Sequence, residues 1–208
     1  IQRVQKDTSY PNPVGKSLLS TLFDEMVYGR VVFREMYGFE CVTEQLSNPG
    51  LIANEKKLVS DKALETFSLL SGGNLGVITG RPRIPTIFTL GDTFARWFTK
   101  PELCLFTGDY ILDMEEAKPS PKPMINVAKK LCASKEPILY VGDSGEDLLM
   151  VKNANGRGLD CKVYFAGIAS SKEKARYFES EGERVDCVVS GVNELASVAG
   201  SNAEILRN

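Results

Sequence analysis

Short apolar runs alternate with amphipathic stretches over most of the chain after residue 60. The apolar runs are bounded by glycine, proline or polar residues, which is typical of strands buried in a parallel sheet. The stretches between them carry apolar residues three and four positions apart, which is the spacing of one helix face. We predict strands at 75–79, 103–107, 137–142, 161–165 and 185–189, and helices at about 61–70, 84–98, 122–133, 146–154, 171–181 and 192–199. This alternation predicts an α/β fold, with helices on both faces of a parallel sheet.

The beginning of the chain follows a different pattern. Between residues 16 and 38, apolar side chains recur mostly three and four positions apart, so this run predicts a long helix. The stretch from Gly38 to Gly50 has the composition of a loop. We therefore predict two parts, a small helical segment at residues 1–58 and an α/β core at residues 59–208.

Composition and charge exclude several classes of protein. The 208 residues are 43% hydrophobic and 25% charged, with a net charge of −2, which is ordinary for a globular chain. That charge provides no basic surface for nucleic acid. No apolar run approaches the roughly 18 residues that a membrane span requires. We therefore expect neither a nucleic-acid partner nor a membrane partner, and the sequence does not determine the oligomeric state.

Histidine and cysteine usage limits the chemistry further. The chain has no histidine, which excludes Ser-His catalytic groups, histidine general bases and histidine-ligated zinc. The five cysteines show no Cys-x-x-Cys spacing. Cys104, Cys161 and Cys187 lie in apolar, strand-like runs and are expected to be small buried hydrophobic residues. This cysteine usage favours a reducing, cytoplasmic setting.

Two acids follow the apolar run from Ile138 to Val141. Gly142 ends the predicted strand, Asp143 lies at its carboxyl end, and Asp147 falls in the first turn of the next helix. Ligands of open α/β sheets bind outside the carboxyl ends of the strands. Two carboxylates at that position are hard oxygen ligands, suited to Mg²⁺ beside a phosphate. The alternative is that both acids are solvated, with Asp147 stabilising the start of a helix.

Two further segments carry groups suited to a phosphate. One apolar run ends at Thr79 and is followed by Gly80 and Arg81. A hydroxyl and the N–H groups of a glycine turn can hold phosphate oxygens, whereas Arg81 could either contact the phosphate or lie on the surface. Lys118 lies in a proline-rich turn before a predicted helix, and its stem is expected to lie outside the core. A lysine fixed near carboxylates can offset the charge of a phosphoryl group.

In this order, the three segments resemble motifs of the haloacid dehalogenase (HAD) superfamily of phosphohydrolases. Thr79 matches the second motif, Lys118 the third, and Asp143 and Asp147 the fourth, and the resemblance covers about residues 51–190. A narrower likeness is to a branch related to phosphoglycolate and histidinol-phosphate phosphatases. The resemblance implies a Rossmann-like, HAD-like core, to which the helical segment at the start of the chain adds a small cap.

The same resemblance implies an activity. It is the Mg²⁺-dependent hydrolysis of a small phosphorylated metabolite through an aspartyl-phosphate intermediate. The implied site residues are Asp143 and Asp147 as metal ligands, Thr79 and Lys118 as catalytic residues, and Thr79, Gly80, Arg81 and Lys118 as substrate-binding residues. The alternatives are a phosphomutase or a catalytically inactive binding or regulatory protein on the same fold.

One expected motif is missing from these residues. The first motif of the family is an Asp-x-Asp pair that carries the nucleophile at the end of a central strand, and no apolar strand here leads into such a pair. The nearest acidic cluster, Asp24 and Glu25, lies within the predicted first helix. Without that strand, the sheet would have unpaired backbone groups between the strands of Thr79 and Asp143, which are costly when buried. We therefore expect the motif to lie upstream of Ile1, and this chain alone to be inactive.

Overall fold

The computed structural model of the protein describes residues 8–9, 12–43, 49–110, 117–131, 136–182 and 185–205. The chain forms two compact units, one of residues 1–57 with 83–91 and the other of residues 58–82 with 92–208. The first unit takes in most of the predicted helical segment and, in addition, a helix that lies between two strands in the sequence. The predicted boundary between a cap and a core at residue 58 stays a prediction.

The predicted strands and helices are all present, and most of their ends fall within a few residues of the predicted ones. The strands are β1 (Val77–Thr79), β2 (Cys104–Phe106), β3 (Ile138–Gly142), β4 (Val163–Ile168) and β5 (Cys187–Val189). The α-helices are α1 (Leu18–Tyr37), α2 (Asp61–Leu70), α3 (Arg83–Leu90), α4 (Asp92–Trp97), α5 (Lys122–Leu131), α6 (Gly145–Asn155), α7 (Lys172–Ser180) and α8 (Val192–Ile205). The single helix predicted over 84–98 is two helices, because Gly91 between them has a φ of 52°, which interrupts the helix.

The first unit is built on α1 and the loop that follows it. The helix kinks at Gly29, whose φ of 68° and ψ of 169° lie outside the helical region. A Cβ on Gly50 would lie 2.3 Å from the nitrogen of Gly29, so this close approach requires glycine. The buried carboxylate of Glu25 accepts hydrogen bonds from the N–H groups of Val42 and Thr43 and from the Thr43 hydroxyl. The Glu25 carboxylate therefore holds the loop that follows α1 in place. Glu25 itself lies within α1, in keeping with the helix predicted at its position.

The strand pairs of the second unit are parallel. β1 pairs with β2, and β3, β4 and β5 form a separate sheet in that order. Among the described residues, β1 and β3 are not paired with each other, as expected if another strand lies between them. The hydroxyl of Tyr140 in β3 lies 3.4 Å from the carbonyl oxygen of Ile78 in β1, so a side chain links the two sheets.

The core of the second unit lies between helices α5 and α6 and one face of β4. Its buried side chains include those of Met124, Val127, Ala128, Leu148, Met150, Val151, Ala154, Val163, Phe165 and Phe178. The other face of the sheet is less covered, because Leu139 and Tyr164, partners in the register of β3 and β4, are 46% and 37% exposed. The packed face fixes the turn between β3 and α6, where the site is predicted.

These observations confirm the predicted α/β, Rossmann-like class. The described strands form two sheets with β1 and β3 unpaired, as expected for a sheet that lacks the strand between them. Of the helices that the structure describes, none is both long enough and apolar enough to cross a membrane.

Of the three cysteines that were expected to be buried, two are buried and one is exposed. Cys104 is buried, as expected. Cys187 is exposed, because β5 lies at an edge of its sheet. Cys161 is buried, but its sulfur is in a disulfide bond. The cysteines therefore do not argue for a reducing compartment, and the cytoplasmic location stays a prediction.

Candidate active site

Three residues shape the turn between β3 and α6. Gly142 ends the strand, and a Cβ there would lie 2.6 Å from the Cβ of Asp147, so the turn requires glycine. Ser144 is the N-cap of α6, and its hydroxyl accepts the N–H of Asp147 at 3.2 Å. The same hydroxyl donates to Asp147 Oδ2 at 2.8 Å. The local sequence therefore starts the helix with the Asp147 carboxylate held close to the end of the strand.

Asp147 is the buried centre of the site, with 3% of its surface exposed. Its carboxylate accepts hydrogen bonds from four donors among the described residues. Oδ1 accepts from Lys118 Nζ at 2.6 Å and from the Tyr140 hydroxyl at 2.7 Å. Oδ2 accepts from the Ser144 hydroxyl and, at 3.3 Å, from the N–H of Asp143. Because these donors occupy both oxygens, a metal ion could bind Asp147 directly only by displacing one of them.

Lys118 reaches this carboxylate from the turn before α5. Its peptide bond to Pro119 is cis. Its side chain is 16% exposed and forms an ion pair with Asp147 at 2.6 Å. Its Nζ also lies 5.9 Å from the centre of the Tyr140 ring. The ion pair therefore draws the Lys118 side chain into the site, and the expectation that its stem lies outside the hydrophobic core stays a prediction.

Asp143 has the opposite surroundings. Its side chain is 67% exposed, and Oδ2 accepts a hydrogen bond from Lys174 Nζ, in α7, at 2.8 Å. Its N–H donates to Asp147, so the two acids share one turn and differ in exposure. The ammonium of Lys174 thus lies against the Asp143 carboxylate. Exposed ion pairs of this kind contribute only about 0–1 kcal/mol to stability, so another cation can readily take the place of Lys174.

These surroundings set the protonation states of the buried pair. Burial raises the pKa of Asp147, but the hydrogen bond and charge of Lys118, followed by the hydrogen bonds of Tyr140 and Ser144, outweigh it and leave that pKa below its ordinary value. Burial and then the charge of Asp147 raise the pKa of the Tyr140 hydroxyl far above its ordinary value. At neutral pH, Asp147 is therefore a carboxylate and Tyr140 a neutral phenol that donates its proton.

The depressed pKa of Asp147 predicts a loss of stability in acid. Its contribution is present above the unfolded-state pKa of about 4 and is lost as the pH falls through the lower folded-state pKa. We expect Asp147→Asn to lower the free energy of unfolding at pH 7, and the difference from the natural chain to narrow below about pH 4. Urea unfolding across this range measures it, with Glu146→Gln, an exposed acid of the same turn, as the control. A difference that stays constant with pH would contradict the assignment.

Thr79 and the residues after it lie at the carboxyl end of β1. The Thr79 hydroxyl accepts the N–H of Arg81 at 3.1 Å, and the Thr79 carbonyl accepts the hydroxyl of Thr107 at 3.1 Å. Because the Thr79 hydroxyl is an acceptor here, its own hydrogen can be donated to a ligand oxygen. Gly80 is exposed, and no described atom lies within 4 Å of the place that a Cβ would occupy. The end of β1 therefore leaves room for a ligand.

The structure brings Lys118, Asp143 and Asp147 into one cluster. The link from this cluster to Thr79 is indirect, because it is the carbonyl of the preceding residue, Ile78, that lies 3.4 Å from the Tyr140 hydroxyl. Among the described residues, no three cysteine or acidic side chains lie close enough to hold a metal ion by themselves. Magnesium commonly uses one or two carboxylates and keeps several waters, so Asp143, with Asp147 acting through water, suits it.

Sequence reasoning missed Tyr140, Ser144 and Lys174. Ser144 was detectable, because a serine three residues before an acid at the start of a helix is typical of a capping box. Tyr140 lies two residues before Gly142 in β3, which places both on one face of the strand, but that spacing does not show how far the hydroxyl reaches. Lys174 lies on another element, and no sequence pattern ties it to Asp143.

Comparisons with known proteins point to one family. Residues 110–159 match the family model of the haloacid dehalogenase-like hydrolases, a segment that includes Lys118, Tyr140 and both acids of the β3–α6 turn. Phosphoglycolate phosphatases of Salmonella paratyphi A and Salmonella typhi are each 31% identical to the chain over 109 residues. That alignment covers 50% of this chain and 40% of each relative, so the chain spans well under two thirds of their length. No solved structure matches the chain significantly.

Proposed function

The chain belongs to the haloacid dehalogenase superfamily, and on this premise we propose that the complete protein is a phosphatase. Its substrate would be a small phosphorylated metabolite, hydrolysed through an aspartyl-phosphate intermediate. The observation that carries the proposal is the cluster at the carboxyl end of β3, where Lys118 and Asp147 are paired at 2.6 Å beside the exposed carboxylate of Asp143. A fixed cation and an accessible acid at a strand end are among the groups that phosphoryl transfer uses.

The donor set supports magnesium as the cofactor. The exposed carboxylate of Asp143 is a hard oxygen ligand, and the ammonium of Lys174 lies 2.8 Å from it, in a place where a cation is favourable. Asp147 would act through water, because its oxygens already accept four hydrogen bonds. When bound, Mg²⁺ would offset the charge of the phosphate.

The remaining groups would position the phosphoryl group. The hydroxyl of Thr79 and the N–H of Gly80 would donate to its oxygens, and Arg81, which follows them, would contact the substrate phosphate. Lys118 would offset the charge that collects on the phosphate and on the attacking acid, with Asp147 fixing its direction. These residues bind and orient, and the covalent step belongs to the nucleophile.

The nucleophile would come from the Asp-x-Asp strand that the family resemblance implies. Within the described chain, β1 and β3 each have an edge that no strand pairs. A strand inserted there would gain hydrogen bonds on both sides and would carry its acid between Thr79 and Asp143. This placement supports the expectation that the motif belongs to the same protein.

The relatives indicate which substrate to test first. The matched relatives are named for phosphoglycolate, so 2-phosphoglycolate is the first compound to test. We propose a small phosphorylated metabolite as the binding partner, with neither nucleic acid nor membrane involved, and a cytoplasmic location.

A screen of phosphomonoesters on the complete protein tests the proposal. We expect release of inorganic phosphate from at least one small phosphomonoester with Mg²⁺, its loss in EDTA, and its return when Mg²⁺ is restored. Equal turnover with and without EDTA would exclude the mechanism. Transfer of phosphate within the substrate would indicate a phosphomutase, and binding without turnover would indicate an inactive regulatory protein.

A further inference from the structure

The hydroxyl of Tyr140 has a place in the site that neither the motifs nor the proposed chemistry assigns. It donates to Asp147 Oδ1 at 2.7 Å, the same oxygen that accepts Lys118 Nζ at 2.6 Å. Because Asp147 is buried, both donors share the lone pairs of this one oxygen atom, and little solvent is present to replace either donor. The direction of one hydrogen bond therefore affects the direction of the other.

The ring that carries this hydroxyl is itself fixed. Tyr140 pairs in register with Phe165 of β4, and the two rings stack with centroids 6.2 Å apart and planes 17° apart. Phe165 is fully buried and packs in turn against Phe178 of α7. An aromatic side chain held in this way has little freedom to follow the acid, so the acid must adapt to the tyrosine.

Asp147 is consequently held from two sides. Tyr140 fixes Oδ1, while Ser144 and the N–H of Asp143 fix Oδ2. Rotation of the carboxylate would break one of these bonds. Lys118, by contrast, has a long stem with several rotatable bonds, and its ammonium has no preferred direction of its own. The ammonium therefore lies where the fixed oxygen directs it.

We propose that Tyr140 is a positioning residue, whose hydroxyl fixes the Asp147 carboxylate and thereby aims the Lys118 ammonium. The inference rests on the proposed phosphatase function. A ring that served only as packing would not need the hydroxyl, because phenylalanine would stack on Phe165 equally well. The hydroxyl also approaches the carbonyl of Ile78 at 3.4 Å, which ties the pair to the end of β1 that carries Thr79.

Tyr140→Phe tests the hydroxyl while keeping the ring. In the complete protein we expect kcat to fall about tenfold and KM to change less than twofold, because misplacing a charged group acts on the transition state more than on substrate binding. Tyr164→Phe, on the neighbouring strand and partly exposed, is the matched control and should leave both constants unchanged. A Tyr140→Phe protein with the natural kcat would overturn the proposal.

A double variant separates positioning from a general effect. If Tyr140 acts through Lys118, then Tyr140→Phe should add nothing to the loss of kcat in Lys118→Met. A further tenfold loss in the double variant would overturn the proposal. If Lys118→Met does not fold, Lys118→Gln, which removes the charge and keeps a polar side chain, replaces it.

The same pair can be tested without any activity. In urea unfolding, the equilibrium constant of the double variant should depart from the product of the single effects by about threefold or more, since coupled contacts are not additive. Additive effects would overturn the inference. If the complete protein turns over no phosphomonoester, the proposed function fails, and this unfolding cycle still decides whether Tyr140 and Lys118 are coupled.

Discussion

Replacing Lys118 with methionine is expected to lower the turnover of the complete protein by roughly two to three orders of magnitude. Methionine keeps a similar length and an apolar stem, and it removes the charge. The ammonium lies 2.6 Å from Asp147 in a site where that acid is almost fully buried. A fixed cation in such surroundings stabilises a phosphoryl transition state by a few kcal/mol, because little water screens it.

The same substitution is expected to lower stability, because it leaves the buried charge of Asp147 without its ion-pair partner. Breaking a buried ion pair commonly lowers the free energy of unfolding by about 3–5 kcal/mol. We expect a loss near the lower end of this range, because Tyr140 and Ser144 still donate hydrogen bonds to Asp147. Thermal melts should therefore show a lower Tm. Rates must be measured well below that Tm so that the loss of turnover is not a loss of folded protein.

Lys129→Met is the matched control, since Lys129 lies on α5, close in sequence to Lys118, and is exposed. It should change the free energy of unfolding by less than about 0.5 kcal/mol and leave turnover unchanged. Natural turnover in Lys118→Met would remove Lys118 from the site. It would also remove one of the three segments on which the family resemblance depends.

Asp143→Asn is expected to lower Mg²⁺ affinity and to reduce turnover by roughly a hundredfold or more, because it replaces a charged oxygen ligand with a neutral one. Its folding should be nearly unchanged. The Asp143 side chain is 67% exposed, and its partner Lys174 is exposed as well. The backbone N–H that Asp143 donates to Asp147 is kept in the variant.

Isothermal titration with Mg²⁺ and steady-state rates over a range of Mg²⁺ concentrations measure these two effects. Glu146→Gln removes a charge from the same turn and should change neither quantity, since Glu146 is exposed and no motif assigns it a role. Unchanged Mg²⁺ affinity in Asp143→Asn would show that the metal ligand lies elsewhere. A large fall in Tm would show that Asp143 supports the fold.

The two acids of the β3–α6 turn are equivalent in the sequence and different in the structure. Their spacing predicts that both lie near the end of β3, and they do. Ser144 turns Asp147 inward, whereas Asp143 points to solvent beside Lys174. The accessible Asp143 differs from the fully hydrogen-bonded Asp147 in its burial and in the donors around it. A linear pattern of residues contains neither property.

The sequence by itself determined the alternating elements, the parallel class of the strands and the candidate positions at strand ends. These depend on local periodicity and on glycine, proline and capping residues, which act within a few positions of the chain. It also limited the chemistry to carboxylates and lysine, since the chain has no histidine.

Only the tertiary structure decided that Lys118 is drawn into a buried ion pair and that Tyr140 shares its acceptor. The disulfide bond of Cys161 and the exposure of Cys187 were likewise decided only by the tertiary structure. Each of these depends on residues that are distant in the sequence and meet only after packing. Hydrogen bonding and burial between such residues are set by the three-dimensional fold, so no local pattern of residues contains them.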